Sequence, residues 1–241
     1  MPVGKAYPEN LLTMIVGSAK DIYFQLKPHS TKAWEHYWSH RGMWNSSKSD
    51  KRRDWVESYY RSAEHPHRKL LAEKIVAHKP KSILEIGCNC APNLFLLKRY
   101  LDIPMTGVDI SVNAVRIGEE HRAENNIKDL DLWGCRAEQI KDMGRKWDLV
   151  FTDAMMIYID PKTIDVVMRA IRQVTTKTVV FLERHIAGVG WGGIYKDGVW
   201  NRDYLELAHQ YWRNPKIGVT KITHDVWPEW SENGYIIEIS I

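Results

Sequence analysis

The clearest structural signal in the sequence is the segment Ile83-Leu-Glu-Ile-Gly-Cys-Asn-Cys-Ala-Pro-Asn93. It begins with a short apolar run that stops at Gly87, which is typical of a buried strand. Pro92 follows where proline suits the first turn of a helix. A strand, a tight turn and a helix in this order direct backbone N–H groups at a ligand lying across the end of the strand. The stretch therefore predicts a strand–turn–helix unit with a ligand site at the turn.

The same alternation of short strands and amphipathic helices continues through residues 66–185. Ser111 is predicted to cap one of these helices and Asp160-Pro161 another. Further strands are predicted at residues 105–109, 129–133, 147–153 and 178–182. Such alternation favours a parallel, doubly wound sheet. Two later strand candidates, at 218–222 and 235–241, have no long helix between them and are predicted to pair antiparallel at one edge of the sheet.

We therefore predict an α/β fold, with a doubly wound, seven-stranded sheet that is mostly parallel and ends in an antiparallel strand. Most of the 11 tryptophans lie outside the alternating region. They either pack the flanking segments onto the core or form an aromatic-walled pocket above the sheet. Residues 1–65 are predicted to be a helical, tryptophan-rich N-terminal cap, and the polar stretch 46–53 within it a solvated loop. Residues 66–241 are predicted to be the main domain, with a glycine- and tryptophan-rich insertion at 186–217.

Composition narrows the class of protein. The chain has 241 residues, of which 44% are hydrophobic and 27% charged, as expected for a globular domain. No apolar run reaches the roughly 18 residues needed to cross a bilayer, so no membrane partner is predicted. A net charge of +4 permits a nucleic-acid partner without requiring one.

Cysteine usage and the N-terminal region predict a cytoplasmic protein without a metal. The three cysteines, Cys88, Cys90 and Cys135, do not form a disulfide framework, and no second Cys/His pair stands at zinc spacing. The apolar residues 11–19 resemble part of a secretory signal. However, Pro8 and Glu9 stand where a signal has a basic flank without acids. We therefore predict that residues 11–19 form a buried helix or strand.

The spacing of acidic residues favours a nucleoside cofactor. Asp109 ends the second predicted strand, about 20 residues after Gly87, where an acid accepts hydrogen bonds from ribose hydroxyls. Dinucleotide binding requires three glycines in the pattern G-x-G-x-x-G, and here Asn89 and Pro92 occupy the second and third positions. A pyrophosphate is therefore disfavoured, whereas S-adenosylmethionine has no phosphate and tolerates such a turn.

Four segments, in order, resemble class I S-adenosylmethionine-dependent methyltransferases. Glu85-Ile-Gly87 resembles their motif I, E/D-x-G-x-G-x-G, with Asn89 and Ala91 in place of the later glycines. Asp109 resembles their acidic ribose ligand. Residues 133–138 resemble their adenine-binding segment, and residues 148–153 their motif IV, whose loop borders the methyl group.

This resemblance implies a Rossmann-like domain that binds S-adenosylmethionine and releases S-adenosylhomocysteine. Glu85 would order the turn or meet the methionine amine. Arg136 stands where an aspartate is common, so adenine contacts would rest on backbone and on Ala137 or Glu138. The residues that the resemblance implies for cofactor binding are Tyr60, Glu85, Gly87, Cys88, Asn89, Asp109, Ile110, Arg136, Ala137, Glu138 and Asp153.

The acceptor side offers three candidate catalytic residues. His185 follows the fifth strand and is either a general base or a residue that orients Glu183. Asp153 and Tyr158, which follow the fourth strand, are its rivals. Tyr59, Tyr60, Arg61 and His65 fall where relatives place a helix over the methionine end of the cofactor. The loop 188–193, with four glycines, could close over a substrate.

Absent motifs narrow the acceptor. Asp153-Ala-Met-Met156 is not the Asn/Asp-Pro-Pro-aromatic motif of enzymes that methylate planar amino groups. Glu183-Arg184-His185 lacks the acidic pair with which catechol-type relatives hold magnesium. We therefore expect metal-independent transfer to an oxygen or nitrogen of a small-molecule acceptor. Two alternatives remain open: an RNA methyltransferase, and a non-catalytic binding module on the same fold.

Overall fold

The computed structural model describes residues 30–40 and 50–241. The strands are β1 (Ile83–Ile86), β2 (Met105–Asp109), β3 (Leu130–Gly134), β4 (Trp147–Asp153), β5 (Thr175–Arg184), β6 (Ile194–Lys196), β7 (Val199–Asn201), β8 (Lys216–Lys221) and β9 (Gly234–Ser240). The α-helices are α1 (Thr31–His40), α2 (Asp50–Arg61), α3 (Pro66–Ala77), α4 (Pro92–Leu97), α5 (Val112–Glu124), α6 (Ile164–Val174) and α7 (Tyr204–Tyr211). Short 3₁₀ turns occupy Ser62–Glu64, Ala137–Met143, Met156–Tyr158 and Pro228–Trp230.

Seven strands form one sheet in the order β3-β2-β1-β4-β5-β9-β8. The first five strands of the chain pair in parallel, and β9 runs antiparallel to both of its neighbours, β5 and β8. The predicted fold class and the antiparallel pair at one edge are confirmed. From β1 the sheet grows through β2 to β3 on one side. The chain then returns to the other side of β1, where β4 and β5 follow. The carboxyl ends of β1 and β4 therefore flank the switch point at which ligands of such sheets bind.

Apolar side chains cover both faces of the sheet, as expected for strands buried on both sides. In β4, Val150 faces the cluster that includes α6 and α7, whereas Leu149 and Phe151 face the cluster that includes α3 and α4. This period of two, with helices on each face, is what holds the strand ends in fixed positions.

Capping residues set where the helices begin. Oγ of Ser111 accepts a hydrogen bond from the backbone N–H of Ala114, which confirms the predicted cap of α5. The prediction for Asp160-Pro161 was wrong by one turn. Oδ1 of Asp160 accepts from the N–H groups of Lys162 and Thr163, and α6 begins only at Ile164. Asp160 thus holds the turn that leads into the helix.

Part of the polar stretch 46–53 is helical. Residues 50–53 form the first turn of α2, which corrects the predicted loop, and residues 46–49 lie outside the described part of the chain. The apolar residues 11–19 and Trp44 also lie outside it. Among the helices that the structure describes, none has the length and apolarity to span a bilayer.

Candidate active site

A cavity of about 590 Å³ opens at the carboxyl ends of β1 and β4, where the strand order switches direction. Its walls come from the loops after β1, β2, β3 and β4, from α1, from the start of α3, and from the segment between β8 and β9. A volume of this size is typical of small-molecule and cofactor sites.

The turn after β1 keeps a glycine-like backbone although two of its glycines are replaced. Gly87 has φ +81°, and a Cβ atom there would lie 2.7 Å from Cβ of Met155, so that position admits only glycine. Asn89 and Ala91 also have positive φ, 53° and 68°. Asn tolerates this conformation well, and Ala adopts it at a cost of about 1–2 kcal/mol. The substitutions in motif I therefore leave the course of the turn intact.

Asp109 braces this turn from the end of β2. Its Oδ2 accepts from the N–H of Asn89 at 2.8 Å, and its Oδ1 accepts from the N–H of Ser111 at 2.7 Å. Burial raises the pKa of Asp109, and these two hydrogen bonds oppose the rise. Each carboxylate oxygen has a second lone pair, and Asp109 lines the cavity, so the group fits the hydroxyls of a ribose.

Glu85 supplies an unpaired acceptor at the cavity wall. Oε1 accepts from Nδ2 of Asn93 at 2.7 Å, whereas Oε2 is buried and has no partner among the described residues. Burial raises the pKa of Glu85 well above its usual value. An orphaned buried oxygen beside the cavity fits the ammonium group of a methionine moiety, because that cation would relieve the desolvation of the carboxylate.

The adenine-side segment is held by ion pairs. Arg136 pairs with Glu35 of α1, and its Nε lies 2.7 Å from Oε1 of Glu138. The backbone N–H of Cys135 donates to the carbonyl of Asp109. Arg136 thus ties α1 to the loop after β3, which leaves backbone groups and Ala137 to meet a base.

Asp153 is the centre of a buried polar network. Its Oδ2 accepts from Nη1 of Arg68 at 2.8 Å and from Nδ2 of Asn93 at 3.0 Å, and lies 3.3 Å from Nε2 of His67. Burial alone would raise the pKa of Asp153, but its contacts with His67, Arg68 and Asn93 outweigh it and hold the pKa well below its usual range. Asp153 is therefore a carboxylate near neutral pH and a poor proton acceptor.

Most of the sequence-predicted site residues meet in this one cavity, whereas Tyr60, Arg61 and His185 do not line it. Tyr60 stacks on His121, with ring centroids 3.8 Å apart, and His185 accepts from the N–H of Tyr204 at Nδ1. Those that line the cavity are Glu85, Gly87, Cys88, Asn89, Asp109, Ile110, Arg136, Ala137, Glu138, Asp153 and Tyr158.

An aromatic stack forms the remaining wall. His67 stacks on Trp227 at 4.1 Å between ring centroids, and Trp227 stacks on Trp230 at 4.5 Å. The guanidinium carbon of Arg184 lies 5.5 Å from the Trp230 ring centroid. The sequence does not single out His67, because polar residues in the first turn of α3 belong to no motif. The tryptophans were noted, but no local pattern places them beside α3.

The family match falls on the same strands. Residues 83–178 match the family model described as a methyltransferase domain. This segment of the chain is a methyltransferase domain by that match. The match agrees with the four motifs and with the strand order. No curated protein matches the chain.

Solved structures share the fold of this chain at low sequence identity. Magnesium protoporphyrin IX methyltransferase from Synechocystis PCC 6803, with bound S-adenosylhomocysteine, is 12% identical with a TM-score of 0.60, over 87% of this chain and 98% of that chain. The methyltransferase domain of bacterial CtHen1-C is 12% identical with a TM-score of 0.60, over 74% and 98%. The [4+2]-cyclase SpnF is 14% identical with a TM-score of 0.54, over 66% and 74%. Since one of these is named a cyclase, the fold alone does not fix the acceptor chemistry.

Proposed function

We propose that this methyltransferase transfers the methyl group to an oxygen or nitrogen of a small-molecule acceptor, without a metal. The observation that carries the proposal is the shape of the cavity. Its motif-bearing half continues into a wall of stacked aromatic rings that ends at Arg184. Such a wall favours a planar acceptor, and the cation at its end favours one with an anionic or polar substituent.

The cofactor half has a role for each polar group. S-adenosylmethionine supplies a methyl group already activated by the sulfonium, so the chain mainly has to align the acceptor. Asp109 would hold the ribose, Glu85 the methionine ammonium, and the turn at Gly87 would let the backbone approach closely. The loop after β3 would receive the adenine.

The hydrogen bonds of Glu183 support a reaction without a metal. Its Oε1 accepts from Oγ1 of Thr152 and from the N–H groups of Met155 and Met156. Glu183 therefore holds the loop after β4 from beneath, and it is buried rather than presented to the cavity. One oxygen of this carboxylate is thus engaged by the loop, and the other, Oε2, is buried without a partner among the described residues.

The flanking segments would close the cavity. Thr31, Trp34 and Trp38 of α1 line it, and so does Val199 of β7. We assign the N-terminal cap, proposed as residues 1–65, to covering the cofactor, and the insertion at 186–217 to bordering the acceptor. Both assignments are part of the proposal, as is a cytoplasmic location.

Two measurements test the proposal in sequence. Calorimetric titration with S-adenosylhomocysteine should give micromolar binding, and NAD should give none because the turn lacks the pyrophosphate glycines. The protein is then incubated with methyl-labelled S-adenosylmethionine and a panel of planar carboxylic acids that carry a hydroxyl or an amino group. A separate incubation contains structured RNA instead. Label on a small molecule supports the proposal.

The incubation with RNA and one pair of variants distinguish the proposal from an RNA methyltransferase and from a non-catalytic binding module. Label on RNA that disappears steeply with added salt would overturn the small-molecule assignment, because phosphate contacts release counterions. Cofactor binding without label on any acceptor would favour a binding module. Trp227→Ala should abolish transfer and spare cofactor binding, whereas Tyr100→Ala, at an exposed tyrosine, should change neither.

A further inference from the structure

Three side chains form a hydrogen-bonded chain that ends in the cavity. Nδ1 of His65 lies 2.5 Å from Nδ1 of His67, and Nε2 of His67 lies 3.3 Å from Oδ2 of Asp153. We infer that His65 is the general base that takes the proton of the acceptor, and that His67 and Asp153 position and polarise it. The inference rests on the proposed function and names a base that the motifs do not identify.

All three residues line the cavity, and His65 is the most exposed of them. His65 is partly exposed and lines the cavity, whereas the side chains of His67 and Asp153 are 6% and 5% exposed. The ring of His67 is held flat against Trp227, with 21° between the ring planes. His65 also immediately precedes α3, so its backbone is fixed by the helix start.

The geometry limits where the protons lie. Two Nδ1 atoms 2.5 Å apart share one proton, and Nε2 of His67 carries a proton because it faces a carboxylate. A neutral His67 then has a bare Nδ1, so the shared proton belongs to His65. In that arrangement Nε2 of His65, a residue that lines the cavity, carries a lone pair rather than a proton.

The alternative arrangement makes His67 doubly protonated. It would leave His65 with a proton on Nε2, and it agrees with the hydrogen bond that the backbone N–H of His67 donates to Nδ1 of His65 at 3.4 Å. However, the single charge of Asp153 is already paired with Arg68 at 2.8 Å. A second buried cation beside that pair would lack a partner of its own, which is costly. The neutral His67 is therefore the better fit.

The surroundings keep His65 in its basic form. Burial lowers the pKa of His65 from 6.5, and the charge of Arg68 lowers it further, whereas Asp153 and Glu229 oppose this. Because the pKa is lowered, the free base is present at neutral pH. It is lost only as the pH falls through that lowered value.

The step balances without any further reactant. The lone pair of the acceptor forms the bond to the methyl carbon, and the pair of the breaking C–S bond stays on sulfur. The proton of the acceptor O–H or N–H passes to Nε2 of His65. The resulting imidazolium is stabilised through His67 by the carboxylate of Asp153, and its proton then leaves to water. His185 does not line the cavity, and Asp153 is held as a poor acceptor, so neither competes for this role.

Nitrogen NMR of the whole chain tests the inference without an acceptor. Histidine-labelled protein is titrated from about pH 5 to pH 9, alone and with S-adenosylhomocysteine, with His65→Gln to assign the signal. We expect a neutral His65 protonated on Nδ1 and a titration below 6.5. A neutral His65 protonated on Nε2 would overturn the inference. Binding of S-adenosylhomocysteine is seen in the same samples, so failure of the proposed function is recognised separately.

Variants distinguish a relay from a merely structural contact. Asp153→Asn should change the proton distribution at His65, whereas His209→Gln, at an exposed histidine of α7, should not. An unchanged His65 signal in a folded Asp153→Asn protein would contradict the relay. With an acceptor in hand, His65→Gln should lower kcat by roughly a hundredfold or more and spare cofactor affinity. Equal losses in kcat and in cofactor affinity would assign His65 a structural role instead.

Discussion

Arg68 and Asp153 form a buried ion pair beside the cavity, with Nη1 of Arg68 2.8 Å from Oδ2 of Asp153. The two side chains are 8% and 5% exposed. Asn93 bridges the pair, since it accepts from Arg68 at Oδ1 and donates to Asp153 from Nδ2. The pair joins α3 to the end of β4. It thereby fixes the part of the cavity wall that carries the hydrogen-bonded residues His65, His67 and Asp153.

Removing one partner of this pair should destabilise the fold strongly. Asp153→Ala would leave the guanidinium of Arg68 buried without a counter-charge, and we expect a loss of roughly 3–5 kcal/mol in the free energy of unfolding. Urea denaturation measures it. Asp131→Ala removes the exposed partner of Arg145 and should cost less than about 1 kcal/mol. Similar losses in both variants would mean that the Arg68 pair is not the source of the stability.

Asp109 should control cofactor affinity. Its carboxylate holds the turn at Asn89 and offers its remaining lone pairs to the cavity. Asp109→Ala removes charge-assisted hydrogen bonds worth about 1.5–3 kcal/mol, so S-adenosylhomocysteine should bind roughly ten- to a hundredfold more weakly by calorimetry. Asp102→Ala, in the exposed loop before β2, is the control. Unchanged affinity in Asp109→Ala would remove Asp109 from the cofactor site.

Glu183 should make stability depend on pH. Burial raises its pKa to about 7 from 4.5, against the opposing hydrogen bonds from Thr152, Met155 and Met156. Because the folded-state pKa is raised, the contribution of this group to stability is full below 4.5 and is lost as the pH rises through about 7. At pH 8 the wild-type chain therefore carries a buried charge that costs free energy.

Glu183→Gln keeps a carbonyl acceptor and cannot ionise. The free energy of unfolding of this variant, relative to the wild type, should rise by roughly 2–3 kcal/mol between pH 5 and pH 8 in urea titrations. Glu206→Gln controls for the loss of one surface carboxylate. A constant difference between Glu183→Gln and the wild type would show that Glu183 does not titrate in that range.

The sequence predicts those features of the fold that depend on local patterns of residues. The period of the strands, the glycine at 87 and the acid at 109 place the sheet and the turn, since these depend on neighbours in the chain. The face of α2 was not predictable, because adjacent helical residues point about 100° apart. Tyr59 lines the cavity while Tyr60 stacks on His121.

The acceptor wall depended on contacts between distant segments. His185 does stand at the carboxyl end of β5, as the motif order suggests, but it bonds the N–H of Tyr204 and packs against Tyr235. Its pairing partners come from α7 and β9, which no local pattern relates to it. The stack of His67 on Trp227 likewise joins residues 160 positions apart. Packing of the two faces, rather than strand position, decides which polar residues reach the cavity.

Two hydrogen bonds between Thr31 and Asp160 anchor the start of α1. The N–H of Thr31 donates to Oδ2 of Asp160 at 2.6 Å, and Oγ1 of Thr31 accepts from the N–H of Asp160 at 2.8 Å. Asp160→Ala removes the first bond, so amide exchange across α1 should accelerate. Thr31→Val removes only the second and should act more weakly. Lys162→Ala is the control.

Exchange in the same experiment separates the anchor from the turn. Oδ1 of Asp160 also holds the N–H groups of Lys162 and Thr163, so faster exchange confined to the start of α6 would mean that Asp160 serves only that turn. Because Trp34 and Trp38 of α1 line the cavity, bound S-adenosylhomocysteine should slow exchange across α1 in the wild type. That protection should be smaller in Asp160→Ala. In this variant part of the binding free energy of S-adenosylhomocysteine would be needed to order α1, so the ligand would bind more weakly.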